Sequence, residues 1–336
     1  MAYIHVKRIG NKKYYTLRIS VRKEDKVITK DLANLGDDLS KININNLEKK
    51  YKNEIRKSYL TIKKFLDSNH YIEKAKKLKL KKSLYFSKEQ QLNIESILLH
   101  FNSKFLKADK LTQEEVYESF LINFAVNSTS IEGNTITLKQ AHKLFKEDIT
   151  PKNKTLREIN DLINTKKVLE FLRKEKPEIN LDLVIKIHDL LLENIDKRKG
   201  LRTHNIRIFG QPFKPSPDIY VKADLMLLLK WYNENKKEIH PLALAILFHH
   251  KFEKIHPFSD GNGRTGRVLM NHILSLLNYP PLVILNKLRK EYLEVMNKAD
   301  DALKKSLLET DLNYYKDVLD FVYSQFKNSY WNIFLL

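Results

Sequence analysis

Cysteine is missing from all 336 residues. That excludes disulfides and thiolate-bound zinc, so any metal must be held by oxygen or imidazole donors. Glycine and proline are scarce, at eight and nine residues. No apolar run approaches the roughly 20 residues that cross a bilayer, and the first residues, MAYIHVKRIG, lack the apolar stretch of a secretory signal. A cytoplasmic protein is expected. With 42% hydrophobic and 30% charged residues, the chain reads as soluble and globular. Its length suits one large domain with an appendage, or two ordinary domains.

The net charge of +20 is unevenly spread: residues 1–90 hold 24 Lys and Arg against 10 Asp and Glu. Such a concentration can attract phosphates, and nucleic acid is one partner it would suit. The plainer reading is a solvated lysine-rich surface, because nothing in this quarter matches a nucleic-acid reading motif.

Alternation in YYTLRISV and KVITKDL, broken at Lys23, Glu24 and Asp25, predicts a hairpin with one further short strand before it. Leu47, Tyr51, Ile55, Tyr59 and Leu60 then recur at helical spacing, and KAKKLKLKKS (74–83) reads as a linker or a basic helical turn. From about residue 88 the apolar stripes are helical almost throughout. The exception is HNIRIFGQPFKPSPDIYV (204–221), where β-prone residues around a proline-rich middle predict a second hairpin. The expected organisation is a basic module over 1–85, a helical core over 88–310 and a C-terminal helical extension over 311–336.

Three of the eight glycines fall within HPFSDGNGRTGR (256–267). Pro257 ends one helix and another can begin near Gly263, so this stretch is a loop feeding a helix N-terminus. Gly261 and Gly263 would permit positive φ and close approach of backbone amides to a ligand, and those amides with the helix dipole form an anion site. Arg264 and Arg267, one turn apart, could reach the same anion. Asp260 beside such a nest calls for a hard cation, with Mg²⁺ bridging the carboxylate and phosphate oxygens. Neutral His256 could take a proton from an attacking hydroxyl. Each residue alone has a commoner reading as a turn, a helix end or a solvated face. Their order and spacing favour phosphoryl or nucleotidyl transfer.

The stretch resembles the signature of the Fic domain family, His-x-Phe-x-Asp/Glu-Gly-Asn-Gly-Arg-x-x-Arg, at every fixed position. GLRTHNIRIFG, the His240-Pro241 pair, His249, IHPF and NYPPLVI extend the likeness over residues 88–310. The resemblance implies a mainly α fold: a Fic-type helical bundle with a small β-hairpin flap at 204–221, here preceded by a β-hairpin and helix module. It implies a protein adenylyltransferase moving AMP from ATP to a Ser, Thr or Tyr hydroxyl of a target protein. In that scheme His256 is the base, Asp260 holds Mg²⁺, and Gly261, Asn262 and Gly263 cradle the phosphates. Arg264 and Arg267 reach the β and γ groups, and Thr265 and Gly266 belong to the same binding segment. Ile208, Phe209, Gly210 and Gln211 would form the flap. Phe258 would anchor the loop, and Tyr292 would line the nucleotide pocket, with Asn297 standing in for an asparagine that is not matched.

STSIEGN (128–134) would close the helix that begins near Thr112, with Gly133 in a left-handed cap. Glu132 then faces the wrong end of the helix dipole and needs a cationic partner. The segment resembles the family's inhibitory motif, Ser/Thr-x-x-x-Glu-Gly/Asn, through Ser128, Glu132 and Gly133. It implies an inhibitory helix over 112–134, with Glu132 pairing with Arg267 where the γ-phosphate would lie. Three alternatives stay open: an enzyme that uses Glu132 to remove AMP, transfer of another nucleotide, and a nucleic-acid-associated binding protein with a regulatory core. Self-modification and a homodimer are also compatible with the sequence.

Overall fold

The computed structural model describes every residue except Asn11, residues 208–212 and Lys305. The chain divides into two compact units, one formed by residues 1–81, 89–107 and 335–336, the other by 82–88 and 108–334.

The first unit opens with a three-stranded antiparallel meander of β1 (Ala2–Ile9), β2 (Lys12–Lys23) and β3 (Lys26–Gly36). Its β2–β3 turn is two residues long, with Glu24 at φ 51°, the positive dihedral that tight hairpins demand. Pairs such as Ile4 opposite Leu17 and Val6 opposite Tyr15 place one apolar set on one face. That face packs on α1 (Ile44–Ile55) and α2 (Tyr59–Ala75) through Leu47, Ile55, Ile62 and Leu66. Tyr71 of α2 meets His100 of α3 (Lys88–Ser103) edge to face at 5.0 Å. The strand before the hairpin is therefore present, and residues 89–107 lie with this unit.

The second unit is helical among its described residues. Side-chain caps start α4 (Lys110–Ile131), α5 (Leu138–Lys146) and α6 (Leu156–Glu175): Asp109 accepts from Thr112 N, while Thr137 with Gln140 and Thr155 with Glu158 form capping boxes. After α7 (Leu181–Leu191) and α8 (Val221–Asn235) comes α9 (Pro241–Ile255), buried from Leu242 to Phe252. A helix buried on all sides belongs at the centre, and α8, α10 (Asn262–Leu276) and α12 (Leu312–Ile333) surround it. Because α12 also packs on α11 (Arg289–Lys298), residues 312–334 join this core.

The expected flap residues Ile208, Phe209, Gly210 and Gln211 lie outside the described residues. On either side, the described residues of 204–221 form no strand, and Asp218–Tyr220 make a 3₁₀ turn into α8. Pro215 and Pro217 lack the amide donors a ladder would use. No helix among the described residues is long and apolar enough to cross a membrane.

Candidate active site

Between α9 and α10 the chain makes a turn whose shape follows from its residues. Helix α9 ends on His256 in the left-handed conformation, φ 51°. Five residues later Gly261, at φ 77°, is the N-cap of α10. The loop is pinned inside: Asn262 Oδ1 accepts from Phe258 N at 2.9 Å, and its Nδ2 donates to Phe258 O at 2.8 Å. Phe258 is buried and stacks on His188, ring centroids 3.7 Å apart. Asn262 thus holds the loop with its side chain, leaving only its backbone to meet a ligand.

The first bond within α10 runs from Thr265 N to Gly261 O. The amides of Asn262, Gly263 and Arg264 therefore have no carbonyl of their own helix to reach, the usual state of a helix start. Asn262 and Gly263 line a cavity of about 280 Å³, together with His256, Asp260, Gly261 and Arg267, and with Tyr292 and Asn297 from α11.

His256 is mostly buried, and burial lowers its pKa to about 4. The imidazole is neutral at neutral pH. Its Nδ1 lies 3.3 Å from Glu253 O; a carbonyl only accepts, so Nδ1 carries the hydrogen and Nε2 the lone pair. Glu253, largely shielded from water, is pushed up by burial to about 7.

Arg267 is held at one end by α4. Its Nε donates to Ser128 Oγ at 3.0 Å, and Nη2 donates to Ser128 O at 2.8 Å and Glu132 Oε1 at 2.7 Å. Burial opposes its charge, yet Glu132 keeps its pKa above the usual arginine value. Glu132 is the C-cap of α4, followed by Gly133 at φ 103°. Arg289 Nε donates to Ile131 O at 2.7 Å, adding a cation at the negative end of that helix. Arg267 thus lies against Glu132, and Arg289 sits at the same helix end.

Gly263 is helical, so positive φ is not its reason for being glycine. A Cβ there would fall on Glu132 Oε1 and lie 3.0 Å from Arg267 Nη1. Close approach is what the position demands.

Arg264 and Arg267 do not converge. Arg264 is buried, pairs with Asp161 of α6, and reaches Asp260 Oδ1 at 3.2 Å. Two different helices supply the partners, and the guanidiniums part accordingly. Thr265 is buried, and Gly266 abuts His249 and Glu253, so neither lines the cavity. His249 Nε2 meets Tyr292 OH at 2.5 Å, which fixes the tyrosine against the cavity.

Three contributors were not singled out from the sequence. Arg157 Nη2 lies 2.5 Å from Asp260 Oδ2. Asp161 takes the charge of Arg264. Arg202 donates to His256 O at 2.8 Å, His204 O at 2.9 Å, Ile255 O at 3.3 Å and Ser216 O. It ties the end of α9 to residues on both sides of the 208–212 segment.

Residues 178–274 match the Fic/DOC family. That segment is a Fic/DOC domain. Curated relatives of the Fic domain include the protein adenylyltransferase fic-1 of Caenorhabditis elegans, 32% identical over 186 residues, covering 53% of this chain and 37% of that protein. The protein adenylyltransferase Fic of Drosophila grimshawi is 32% identical over 184 residues, covering 52% and 37%. The match thus spans little more than a third of these relatives. Among solved structures, a Fic-domain signalling protein of Bacteroides thetaiotaomicron has a TM-score of 0.65 at 23% identity, covering 70% of this chain and 94% of that one. Fic-1 of C. elegans has 0.59 at 25% identity, covering 73% and 70%. The matched residues 178–274 lie within the second unit.

Proposed function

We propose that this Fic-domain protein transfers AMP from ATP to a hydroxyl of a target protein and is held back by its own Glu132. The observation that carries the reading is Glu132 bonded to Arg267 at the rim of the cavity where His256 and the start of α10 meet. Neutral His256 Nε2 accepts the hydroxyl proton as the oxygen attacks the α-phosphorus. The bond from that phosphorus to the bridging oxygen breaks, and diphosphate leaves. The α10 amides and Arg267, already fixed by Ser128, stabilise charge on the phosphates. Glu132 opposes binding because it sits on the arginine that the terminal phosphate would use.

Mg²⁺ fits this donor set in one way only. No group of three His, Cys, Asp or Glu able to cage a metal occurs among the described residues, but a magnesium triphosphate brings most of its own oxygens. Asp260 would supply the protein carboxylate once Arg157 moves aside, and the bound ion would neutralise phosphate charge. Because Glu132 and His256 line one cavity, removal of AMP with Glu132 positioning the water is a second reading of the same site.

The test is self-labelling with α-labelled ATP and Mg²⁺. Glu132→Gly should label more strongly than wild type, and the Glu132→Gly, His256→Ala double variant should not label. Equal labelling by wild type and Glu132→Gly would remove the brake from the proposal. Absence of labelling in both, with target protein supplied in a lysate, would remove the transferase. Release of AMP from a modified target by wild type but not by Glu132→Gly would favour the second reading.

A further inference from the structure

The first unit contains a sheet face that the reaction above does not use. Alternation along β1 and β2 sends Ala2, Ile4, Tyr15 and Leu17 onto the helices and the opposite set away from them. That outer set includes Lys7, Lys12, Arg18 and Arg22 with Tyr3 and Tyr14. The register sets Tyr3 opposite Arg18 and Lys7 opposite Tyr14, which interleaves cations with aromatic rings. Lys7, Lys12 and Arg22 are exposed.

Arg18 has a fixed direction. Asp31, its partner on β3, accepts from Nε at 2.5 Å and Nη2 at 3.3 Å, leaving the Nη1 hydrogens outside the ion pair. Tyr3, opposite it on β1, hydrogen-bonds the same side chain, so Arg18 is braced from both neighbouring strands, and an arginine held in this way presents its remaining donors to a planar acceptor pair such as guanine O6 and N7. Three strands at about 4.8 Å spacing make a sheet about 10 Å across, and the major groove of duplex DNA is about 12 Å wide. The A-form groove of duplex RNA is too deep and narrow for such a face.

We propose that the outer face of this sheet binds duplex DNA in the major groove, with Lys7, Lys12 and Arg22 on phosphates and Arg18 at base edges. A site of three or four counterion-releasing contacts gives a slope of log affinity against log salt of about −3 to −4. Raising NaCl from about 50 to 200 mM would then weaken binding about 100-fold.

The test is fluorescence anisotropy of the full chain with a labelled duplex of about 25 base pairs, a little over two helical turns. Wild type should bind with that salt slope. Lys7→Glu with Arg22→Glu should lose more than about tenfold, at 1.4 kcal/mol per decade. Lys49→Glu with Lys50→Glu, the same charge change on α1 behind the sheet, should stay within about threefold, under 0.7 kcal/mol on the same scale. All four positions are exposed, and unchanged circular dichroism melts will show that both variants fold. Failure of wild type to bind at low salt overturns the proposal. So do equal losses in the two double variants, which would mean diffuse charge. Binding of duplex RNA or anionic phospholipid vesicles as tightly as DNA overturns it as well.

Discussion

Replacing Glu132 should tighten nucleotide binding about tenfold, and the contacts of Arg267 set that figure. Arg267 keeps both acceptors of Ser128 when Glu132 is removed, so its buried charge stays solvated by protein. One charge-assisted bond is lost, to a carboxylate whose side chain is 39% exposed. Shielded bonds of this kind contribute about 1.5–3 kcal/mol, and exposed pairs about 0.2–1. A half-shielded pair falls near 1.4 kcal/mol, a factor of about ten in Kd. The assay is calorimetric titration of magnesium ATP into His256→Ala, in which no transfer consumes the nucleotide, with and without Glu132→Gly. Glu132→Gln should recover most of the gain, because it removes charge and keeps shape. An unchanged Kd in Glu132→Gly would refute the reasoning, since the carboxylate would then not compete with phosphate. A gain in Gly without one in Gln would assign the effect to bulk.

The Arg157 pair with Asp260 predicts that Arg157→Ala lowers the Mg²⁺ concentration needed for nucleotide binding. The arginine side chain is 58% exposed, so the gain is at most about fivefold, and an unchanged Mg²⁺ titration would count against it. His240, His250 and His256 are each held near pKa 4 by burial. The unfolded chain takes these protons near 6.5 and the folded one only near 4. Stability should therefore fall as pH drops from 6.5 to 4 and level off below. Glu253, lifted to about 7, works the other way between pH 4.5 and 7, but three groups outweigh one; urea unfolding at pH 7 and pH 5 measures the difference. At Gly266 a Cβ would lie 2.5 Å from His249 Nδ1 and 2.8 Å from Glu253 Oε1. Gly266→Ala should cost about 1–3 kcal/mol in the same assay.

What could be read from the chain was local. The 256–267 loop and the β2–β3 turn depend on residues within a few positions of one another, so pattern and turn chemistry reach them. Phe258 as an anchor came from the resemblance. The pairing of Arg264 with Asp161 and of Arg157 with Asp260 spans 103 residues in each case, and no spacing announces it. Helical periodicity correctly put Arg264 and Arg267 on neighbouring positions of one helix. It could not tell that α6 would claim one guanidinium and α4 the other. Arg202 sat in a quoted stretch without a role, because its acceptors are backbone carbonyls, which every residue supplies.

Residue 263 ties the resting and working states of the protein to one vacancy. The space where a side chain would stand is filled by the Glu132 carboxylate, and under the proposed reaction that carboxylate is the brake and the same bare backbone receives phosphate. A methyl group there would evict the inhibitor and crowd the substrate together. Substitution at this position therefore offers no route to a permanently switched-on enzyme, whereas changes in the tail of α4 leave the cradle whole. Gain-of-function variants should accordingly collect around residues 128–133 and spare the glycine they face.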